Sequence, residues 1–267
     1  MTEEMNSVIL FKIRNDLKNY IIKNNLKSLV LGISGGIDSA IIAAIVKPIC
    51  KELNVSLIGM SLPSSSNKEC EIIRANNIMN NFCSLQYERN IDSLYQEFLK
   101  YYPEDISKIR RGNIKARIRM ITLYDMAQAT KGLVLSTDNY TEYWLGFWTL
   151  HGDVGDYGMI QELFKTEVYE LAQYIVDKEL KDIESKKALQ ECIDAVPTDG
   201  LGITESDMES IGLPTYKEID ERLRYYLYNK FEPIKDCPII KRIENTIYKR
   251  TGTINHTIKR DSKGDII

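Results

Sequence analysis

A glycine-rich turn near the amino terminus places the strongest constraint on how this chain folds. The apolar residues 29–33 are typical of a buried strand, and they run directly into the sequence Ser-Gly-Gly-Ile-Asp-Ser at 34–39. An apolar helical pattern follows at once, over 40–46. A strand, a glycine turn and a helix N-terminus together form an anion site, because the glycines let backbone N–H groups converge and the helix dipole adds partial positive charge.

Asp38 is the unexpected member of this turn, because phosphate repels a carboxylate. A divalent cation between the two groups removes the conflict, and hard oxygen ligands suit Mg²⁺. Ser34 and Ser39 can add hydroxyl donors. The turn differs from a Walker A loop, since the chain contains no G-x-x-x-x-G-K-[ST] string. An ordinary strand–helix turn with a Ser or Asp helix cap is the alternative interpretation.

Short strands alternate with longer helices along the first half of the chain. This alternation predicts an α/β fold with a doubly wound parallel sheet, followed by helical C-terminal additions beyond residue 164. We expect a single domain over 1–267, with a polar and mobile tail from about 251 to 267. Apolar spacing predicts strands at 28–33, 55–60, 85–88 and 132–136, and helices at about 5–24, 38–53, 92–101 and 107–130, with a further helix ending near 82.

A second polar segment, residues 136–142, follows the predicted strand at 132–136. In a doubly wound sheet, ligands bind beyond the carboxyl ends of the strands, so this segment and the glycine turn can share one site. Glu142 falls in the first turn of the next helix. It is either half of a capping box with Asn139, or a second carboxylate on a Mg²⁺ ion bound near Asp38.

Three basic residues need an explanation of their own. Lys165 begins a predicted helix, where a cation opposes the helix dipole. An anion such as phosphate in front of the ammonium would explain this placement. A surface lysine is the alternative interpretation. Arg117 and Arg119 lie about 200° apart around their predicted helix, so the two arginines should not serve one site.

Bulk composition excludes several classes of protein. The formal net charge of −3 argues against a nucleic-acid binder that works through bulk charge. The five cysteines contain no C-x-x-C pair, which disfavours a zinc site or a disulfide framework and fits a reducing cytosol. The N-terminal residues resemble no signal peptide, and no apolar run approaches membrane-spanning length. We therefore expect a cytoplasmic protein that binds neither nucleic acid nor membrane.

Taken in order, these motifs resemble the ammonia-dependent NAD synthetase family, within the SGGxDS ATP pyrophosphatase superfamily. The resemblance covers roughly residues 5–250, and the ordered set is far more specific than any single motif. Its members are S-G-G-x-D-S at 34–39, K-A-R-x-R-M at 115–120, T-D-N-x-x-E at 137–142, a Gly-Asp loop at 152–156, L-x-K-T-x-V at 163–168, A-V-P-T at 195–198 and I-G-L-P-T-Y-K-E-I-D at 211–220.

The resemblance implies an adenine nucleotide alpha-hydrolase-like fold and a role for each matched residue. Asp38 and Lys165 would be catalytic, Asp38 and Glu142 would hold Mg²⁺, and a homodimer interface would lie near the 107–130 helix. The implied deamido-NAD contacts are Arg117, Asp156 and Lys249. The implied ATP contacts are Gly32, Ile33, Ser34, Gly35, Gly36, Ile37, Asp38, Ser39, Thr137, Lys165 and Thr198.

The implied reaction is the ATP-dependent amidation of deamido-NAD to NAD, through an acyl-adenylate and with release of AMP and pyrophosphate. Only about thirty residues precede the glycine turn, and little chain follows the matched region. A glutaminase needs its own domain and nucleophile. We therefore expect free ammonia, or ammonia delivered by another protein, as the nitrogen donor.

The chain departs from the family pattern mainly on the dinucleotide side. The 152–156 loop is one residue shorter than the usual G-D-G-G-x-D, so Asp156 matches its last Asp only across a gap. Leu150 and Tyr248 stand where many relatives have Lys and His. Nicotinate mononucleotide or another carboxylate thus remains an alternative acceptor. Two further alternatives are weaker. A tRNA-modifying enzyme would have a basic surface, and a nucleotide-binding regulator without turnover would not need two acidic metal ligands.

Overall fold

A five-stranded parallel sheet forms the centre of the computed structural model, in the order β3-β2-β1-β4-β5. The chain adds β2 and β3 on one side of β1 and then returns to place β4 on the other side. This reversal creates a switch point between the carboxyl ends of β1 and β4, where open α/β sheets bind ligands. The strands are β1 Ser28–Gly32, β2 Ser56–Ser61, β3 Leu85–Glu88, β4 Gly132–Ser136 and β5 Tyr157–Gly158.

The structure describes residues 1–103, 105–153, 155–198, 201–203, 206–229, 237–254, 256–262 and 265–266. Within these ranges the helices are α1 Glu3–Asn24, α2 Ile37–Leu53, α3 Glu69–Phe82, α4 Asp92–Leu99, α5 Lys108–Thr130, α6 Tyr140–Leu145, α7 Lys165–Tyr174, α8 Ile183–Ile193, α9 Asp207–Ile211, α10 Tyr216–Tyr228 and α11 Pro238–Asn245. A π-helical turn, Ile175–Glu179, extends α7, and a 3₁₀ turn, Ile247–Lys249, follows α11.

Helices cover both faces of the sheet. Successive side chains of a strand point to opposite faces, so neighbouring residues of β1 pack against different helices. Leu29 and Leu31 of β1 pack with apolar residues of α1, α2, α3, α7 and α8. Val30, between them, packs on the other face with residues of α4 and α5. The near-continuous apolar run of β1 is therefore the signature of a strand buried on both sides.

A third apolar cluster lies in the C-terminal part of the chain and unites α6, α9, α10 and α11 around Leu145 and Phe164. These are the helical additions that the sequence predicts. This cluster brings α10 against α7, which begins immediately after Phe164.

The predicted α/β fold is confirmed. The strands at 85–88 and 132–136 have the predicted bounds, and α5 starts one residue later than expected. Among the described residues, none of the helices is both long enough and apolar enough to cross a membrane. The single domain and the mobile tail stay predictions; within the tail, the structure describes an isolated antiparallel bridge between Arg260 and Ile266.

Candidate active site

The glycine turn connects β1 to α2 at the switch point of the sheet. Gly35 has a φ of +81°, and a Cβ atom built there would lie 2.2 Å from the carbonyl oxygen of Glu71 on α3. Only glycine fits this close approach. The backbone N–H of Gly36 donates to Ser34 Oγ at 3.2 Å, and that of Ser34 donates to Ser39 Oγ at 3.3 Å. The two serine hydroxyls therefore hold the shape of the turn.

Three charged side chains from three different elements meet beside this turn. The Lys165 ammonium donates to Asp38 Oδ2 at 2.5 Å and to Glu142 Oε1 at 3.0 Å. Lys165 is 2% exposed, so water screens these ion pairs little. Lys165 thus faces a pair of carboxylates in this structure, and its role toward phosphate stays a prediction.

Asn139 links the two carboxylates of this group. As the N-cap of α6, its Oδ1 accepts the Glu142 N–H at 3.0 Å, while its Nδ2 donates to Asp38 Oδ1 at 2.9 Å. The capping-box interpretation of 139–142 is therefore correct. It does not exclude a functional role, because the Glu142 carboxylate also contacts Lys165.

Burial and the Glu142–Lys165 pairing act in opposite directions on the pKa of each of these two residues, and both pKa values are raised. Burial raises the pKa of Glu142 to about 7, although the Lys165 ammonium acts to lower it. For Lys165, burial lowers the pKa, but the carboxylates of Asp38 and Glu142 outweigh it and hold the value well above its usual range. Perturbed groups of this kind concentrate at functional sites.

A cavity of about 670 Å³ opens above the carboxyl ends of β1 and β4. Its volume suits a nucleotide-sized ligand. The predicted site residues that line it are Gly32, Ile33, Ser34, Gly36, Ile37, Asp38, Ser39, Thr137, Glu142, Lys165, Thr198 and Lys249. Gly35 lies just behind this wall, against α3.

The three residues assigned to deamido-NAD have different positions. Lys249 lines the cavity, and its ammonium donates to the carbonyl oxygens of Gly146 and Trp148. Arg117 is exposed, lies outside the cavity wall and donates to the carbonyl oxygen of Leu150. The roles assigned to Arg117 and Lys249 stay predictions.

Asp156 also lies outside the cavity wall. Its Oδ2 accepts the Val134 N–H at 2.9 Å and its Oδ1 accepts the Tyr124 hydroxyl at 3.0 Å, so the carboxylate is engaged at the edge of β4. The nearby Asp153 lines the cavity instead, and burial raises its pKa. The assignment of Asp156 to the dinucleotide therefore stays a prediction without direct support from the cavity.

Sequence reasoning missed several charged residues of the cavity wall. Asp138 is buried beside Ser136, and burial together with the Glu142 charge raises its pKa well above the usual range. Its position at the end of β4 could have identified it. Arg119, Asp207 and Arg242 also line the cavity. The last two lie on C-terminal helices, and no local pattern places them there.

Thr198 connects the 195–198 segment to the glycine turn. Its hydroxyl donates to Glu71 Oε1 at 2.7 Å, and the backbone oxygen of Glu71 lies against Gly35. Residues 199–200, which follow Thr198, lie outside the described residues.

The residues present fit a magnesium ion in their chemistry. Mg²⁺ in nucleotide sites is held by one or two carboxylates together with water and substrate phosphates, so a dedicated cage is unnecessary. Asp38 and Glu142 supply two such carboxylates on one side of the cavity. Across the described part of the chain, no group of three or more His, Cys, Asp or Glu side chains forms a metal site by itself.

Fold and site together define a nucleotide-binding protein of the doubly wound α/β class. The family model described as NAD synthase matches residues 9–261. The chain therefore belongs to the NAD synthase family, a family of ligases.

Individual relatives agree with this membership. The chain is 32% identical over 219 residues to an NH(3)-dependent NAD(+) synthetase of Thermococcus sibiricus, covering 80% of this chain and 79% of that one. A solved structure called NMN synthetase, from Francisella tularensis, superposes with a TM-score of 0.78 at 25% identity, over 96% of this chain and 99% of that one. The fold is also that of an NH3-dependent NAD synthetase from Campylobacter jejuni, with a TM-score of 0.72 at 24% identity, over 97% and 100% of the two chains.

Proposed function

We propose that this protein is an ammonia-dependent NAD synthetase, which converts deamido-NAD, ATP and ammonia into NAD, AMP and pyrophosphate. Family membership supports the reaction class. The observation that carries the proposal is the convergence of the glycine turn, Asp38, Glu142 and Lys165 on one cavity at the switch point of the sheet.

The reaction has two steps. The nicotinate carboxylate attacks the α-phosphorus of ATP, so that a carboxylate–phosphorus bond forms and the bond to pyrophosphate breaks. Ammonia then attacks the acyl carbon, loses a proton and displaces AMP. A carboxylate is a poor electrophile, and adenylation supplies it with a good leaving group.

The protein contributes placement and charge stabilisation. Backbone N–H groups of the 32–39 turn and the N-terminus of α2 face the phosphates and stabilise the negative charge that develops on pyrophosphate. Lys165 lies in the same wall and adds a fixed positive charge. Asp38 and Glu142 would hold Mg²⁺, which when bound neutralises phosphate charge.

We extend the proposal to the assembly and the nitrogen donor. The protein would act as a homodimer with an interface near α5, whose exposed Arg117 would then reach a dinucleotide site built with the partner. Free ammonia, or ammonia delivered by another protein, would be the donor. Light scattering tests the dimer, and comparison of ammonium with glutamine tests the donor.

Two observations favour a second acceptor, nicotinate mononucleotide. The Francisella tularensis protein with a TM-score of 0.78 is called an NMN synthetase. This chain also has Leu150 and Tyr248 on the side assigned to the dinucleotide. The chemistry at ATP is the same for both acceptors, so only the acceptor itself distinguishes them.

The decisive experiment is mass spectrometry of the products formed from ATP, Mg²⁺, ammonium and either deamido-NAD or nicotinate mononucleotide. We expect NAD and AMP in equal amounts from deamido-NAD. Faster amide formation on the mononucleotide would reassign the acceptor. Absence of AMP with every carboxylate offered would overturn the proposed function.

A further inference from the structure

The segment that carries Lys165 caps its helix only in part: Glu167 Oε2 accepts the Phe164 N–H at 2.9 Å, but no side chain of the segment accepts the N–H groups of Lys165 and Thr166. Lys165 is the first residue of α7, and the preceding N-cap residue, Phe164, has no polar side chain to accept the first N–H groups of the helix. Such N–H groups need partners when they are buried. An ammonium at this end also opposes the helix dipole. Other elements must therefore stabilise the first turn of α7.

Two other helices supply the missing acceptors. Thr141 Oγ1, on α6, accepts the Lys165 N–H at 2.9 Å, and Asp220 Oδ2, on α10, accepts the Thr166 N–H at 2.8 Å. The Thr141 hydroxyl in turn donates to Asp220 Oδ1 at 2.5 Å. Thr141 is fully buried and Asp220 is 2% exposed, so water cannot readily replace either partner. The Asp220 charge also favours this end of α7.

One face of α10 presents several groups to the start of α7. Tyr216, Asp220 and Arg224 are spaced four residues apart, which places them on the same side of the helix. The Tyr216 ring centroid lies 5.2 Å from the Lys165 ammonium, and Arg224 pairs with Glu167 at 2.7 Å. Asp220 is the member of this face that bonds the α7 backbone next to Lys165.

We propose that Asp220 is a positioning residue: by fixing the first turn of α7, directly and through Thr141, it keeps the Lys165 ammonium between Asp38 and Glu142. Asp220 itself acts only through Lys165. The inference rests on the proposed function, because it gives Asp220 an effect on the rate of that reaction. A displacement of about 1 Å at a reacting group can cost about 100-fold in rate.

The first test compares Asp220→Asn and Thr141→Val with Thr141→Ser. An Asn at 220 brings an N–H₂ group against donors, and a Val at 141 removes the shared hydroxyl while keeping the shape. We expect kcat for AMP formation to fall about 10- to 100-fold in both, with KM for ATP near the wild-type value. Thr141→Ser restores the hydroxyl and should keep the wild-type kcat.

Arg224→Met is the matched control. It removes the ion pair with Glu167 and the stacking of the guanidinium on the Phe164 ring, and it takes away none of the atoms that bond the Lys165 and Thr166 N–H groups. We expect it to lower thermal stability with kcat unchanged. An equal fall in kcat would mean that helix packing in general matters, and would overturn the proposal.

The second test needs no turnover. An amine-reactive acylating reagent, followed by peptide mass spectrometry, measures how fast Lys165 is modified. We expect slow modification in the wild type, since Lys165 is buried and paired, and faster modification in Asp220→Asn and Thr141→Val. If the wild type makes no AMP, the proposed function fails, and this rate still tests the positioning.

The proposal would be overturned if Thr141→Val had the same kcat and the same Lys165 labelling rate as the wild type. It would also be overturned if the kcat of Thr141→Ser were as low as that of Thr141→Val. If Asp220→Asn does not fold, which circular dichroism reports, the two Thr141 variants decide the question alone.

Discussion

The Lys165 ammonium lies 2.5 Å from the Asp38 carboxylate, although 127 positions separate the two residues. Asp38 stands in the first turn of α2 and Lys165 begins α7, so two helix N-termini point into the same cavity. The contact joins the residue predicted to bind the metal to the residue predicted to neutralise phosphate. Its loss should therefore affect chemistry more than folding.

Replacement of Asp38 tests this contact directly. Asp38→Asn keeps the shape and removes the charge that would bind Mg²⁺ and pairs with Lys165. Losing one electrostatic contact of this kind typically lowers kcat by about 10²–10³-fold. We expect that loss in a pyrophosphate-release assay, with an unchanged circular dichroism spectrum. Asp16→Asn, which removes an exposed carboxylate of α1, is the control and should retain full activity. Near-normal turnover of Asp38→Asn would contradict the role.

The pKa of Glu142 predicts how activity depends on pH. Burial raises it to about 7, so the folded enzyme keeps a proton on Glu142 at pH values where an exposed glutamate is ionised. Since the ionised form is needed to attract a cation, kcat/KM for ATP should fall as the pH drops through about 7.

Lys165→Met should move this acidic limb to higher pH. The Lys165 charge lowers the pKa of Glu142, so its removal lets that pKa rise further. Profiles of kcat/KM between pH 5 and 9 measure the shift, and Lys12→Met, at an exposed position on α1, serves as the control. A limb that stays in place, or moves to lower pH, would show that a different group controls it.

Metal dependence tests the second carboxylate. Glu142→Gln should raise the Mg²⁺ concentration for half-maximal activity on the order of tenfold, because affinity follows the charge of the ligands. Excess EDTA should abolish activity in both proteins and added Mg²⁺ should restore it. The control is Glu52→Gln, which changes an exposed glutamate on α2. An unchanged Mg²⁺ requirement in Glu142→Gln would remove Glu142 from the proposed metal site.

Alanine variants of two glycines distinguish the cost of steric overlap from the cost of backbone strain. Gly35 and Gly212 both have a φ of +81°, but a Cβ would meet Glu71 O at 2.2 Å only at Gly35 and has open space at Gly212. Both alanine variants should lose about 1–2 kcal/mol of unfolding free energy from strain. Gly35→Ala should lose a further ~1–3 kcal/mol from overlap and should bind ATP more weakly. Urea unfolding and calorimetric titration measure the two effects; equal losses would refute the overlap.

Local pattern was sufficient for most of the fold. Three features were visible as short-range patterns: the apolar run of β1, the glycine turn and the 3.6-residue spacing of α5. Each depends on the polarity or the backbone freedom of a few neighbouring residues, which can be read from the sequence. The same argument placed 32–39 and 137–142 at one site, because parallel strands end at one edge of the sheet.

The 152–156 loop shows what a gapped motif match leaves open. The sequence favoured Asp156 through a gapped match. In the structure Asp153 lines the cavity and Asp156 accepts the Val134 N–H of β4, so the role of Asp156 toward the dinucleotide stays a prediction. Which of two nearby carboxylates enters a cavity depends on the path of the turn, and residue spacing does not encode that path.

By itself, the sequence determined the parallel sheet, the glycine turn between β1 and α2 and the family, because each is written in short-range patterns or in an ordered set of motifs. Only the tertiary structure decided that Lys165 faces two carboxylates, that Asn139 joins Asp38 to Glu142, and that α10 caps α7 through Asp220. These contacts join distant segments, and the packing of the C-terminal helices brings those segments together.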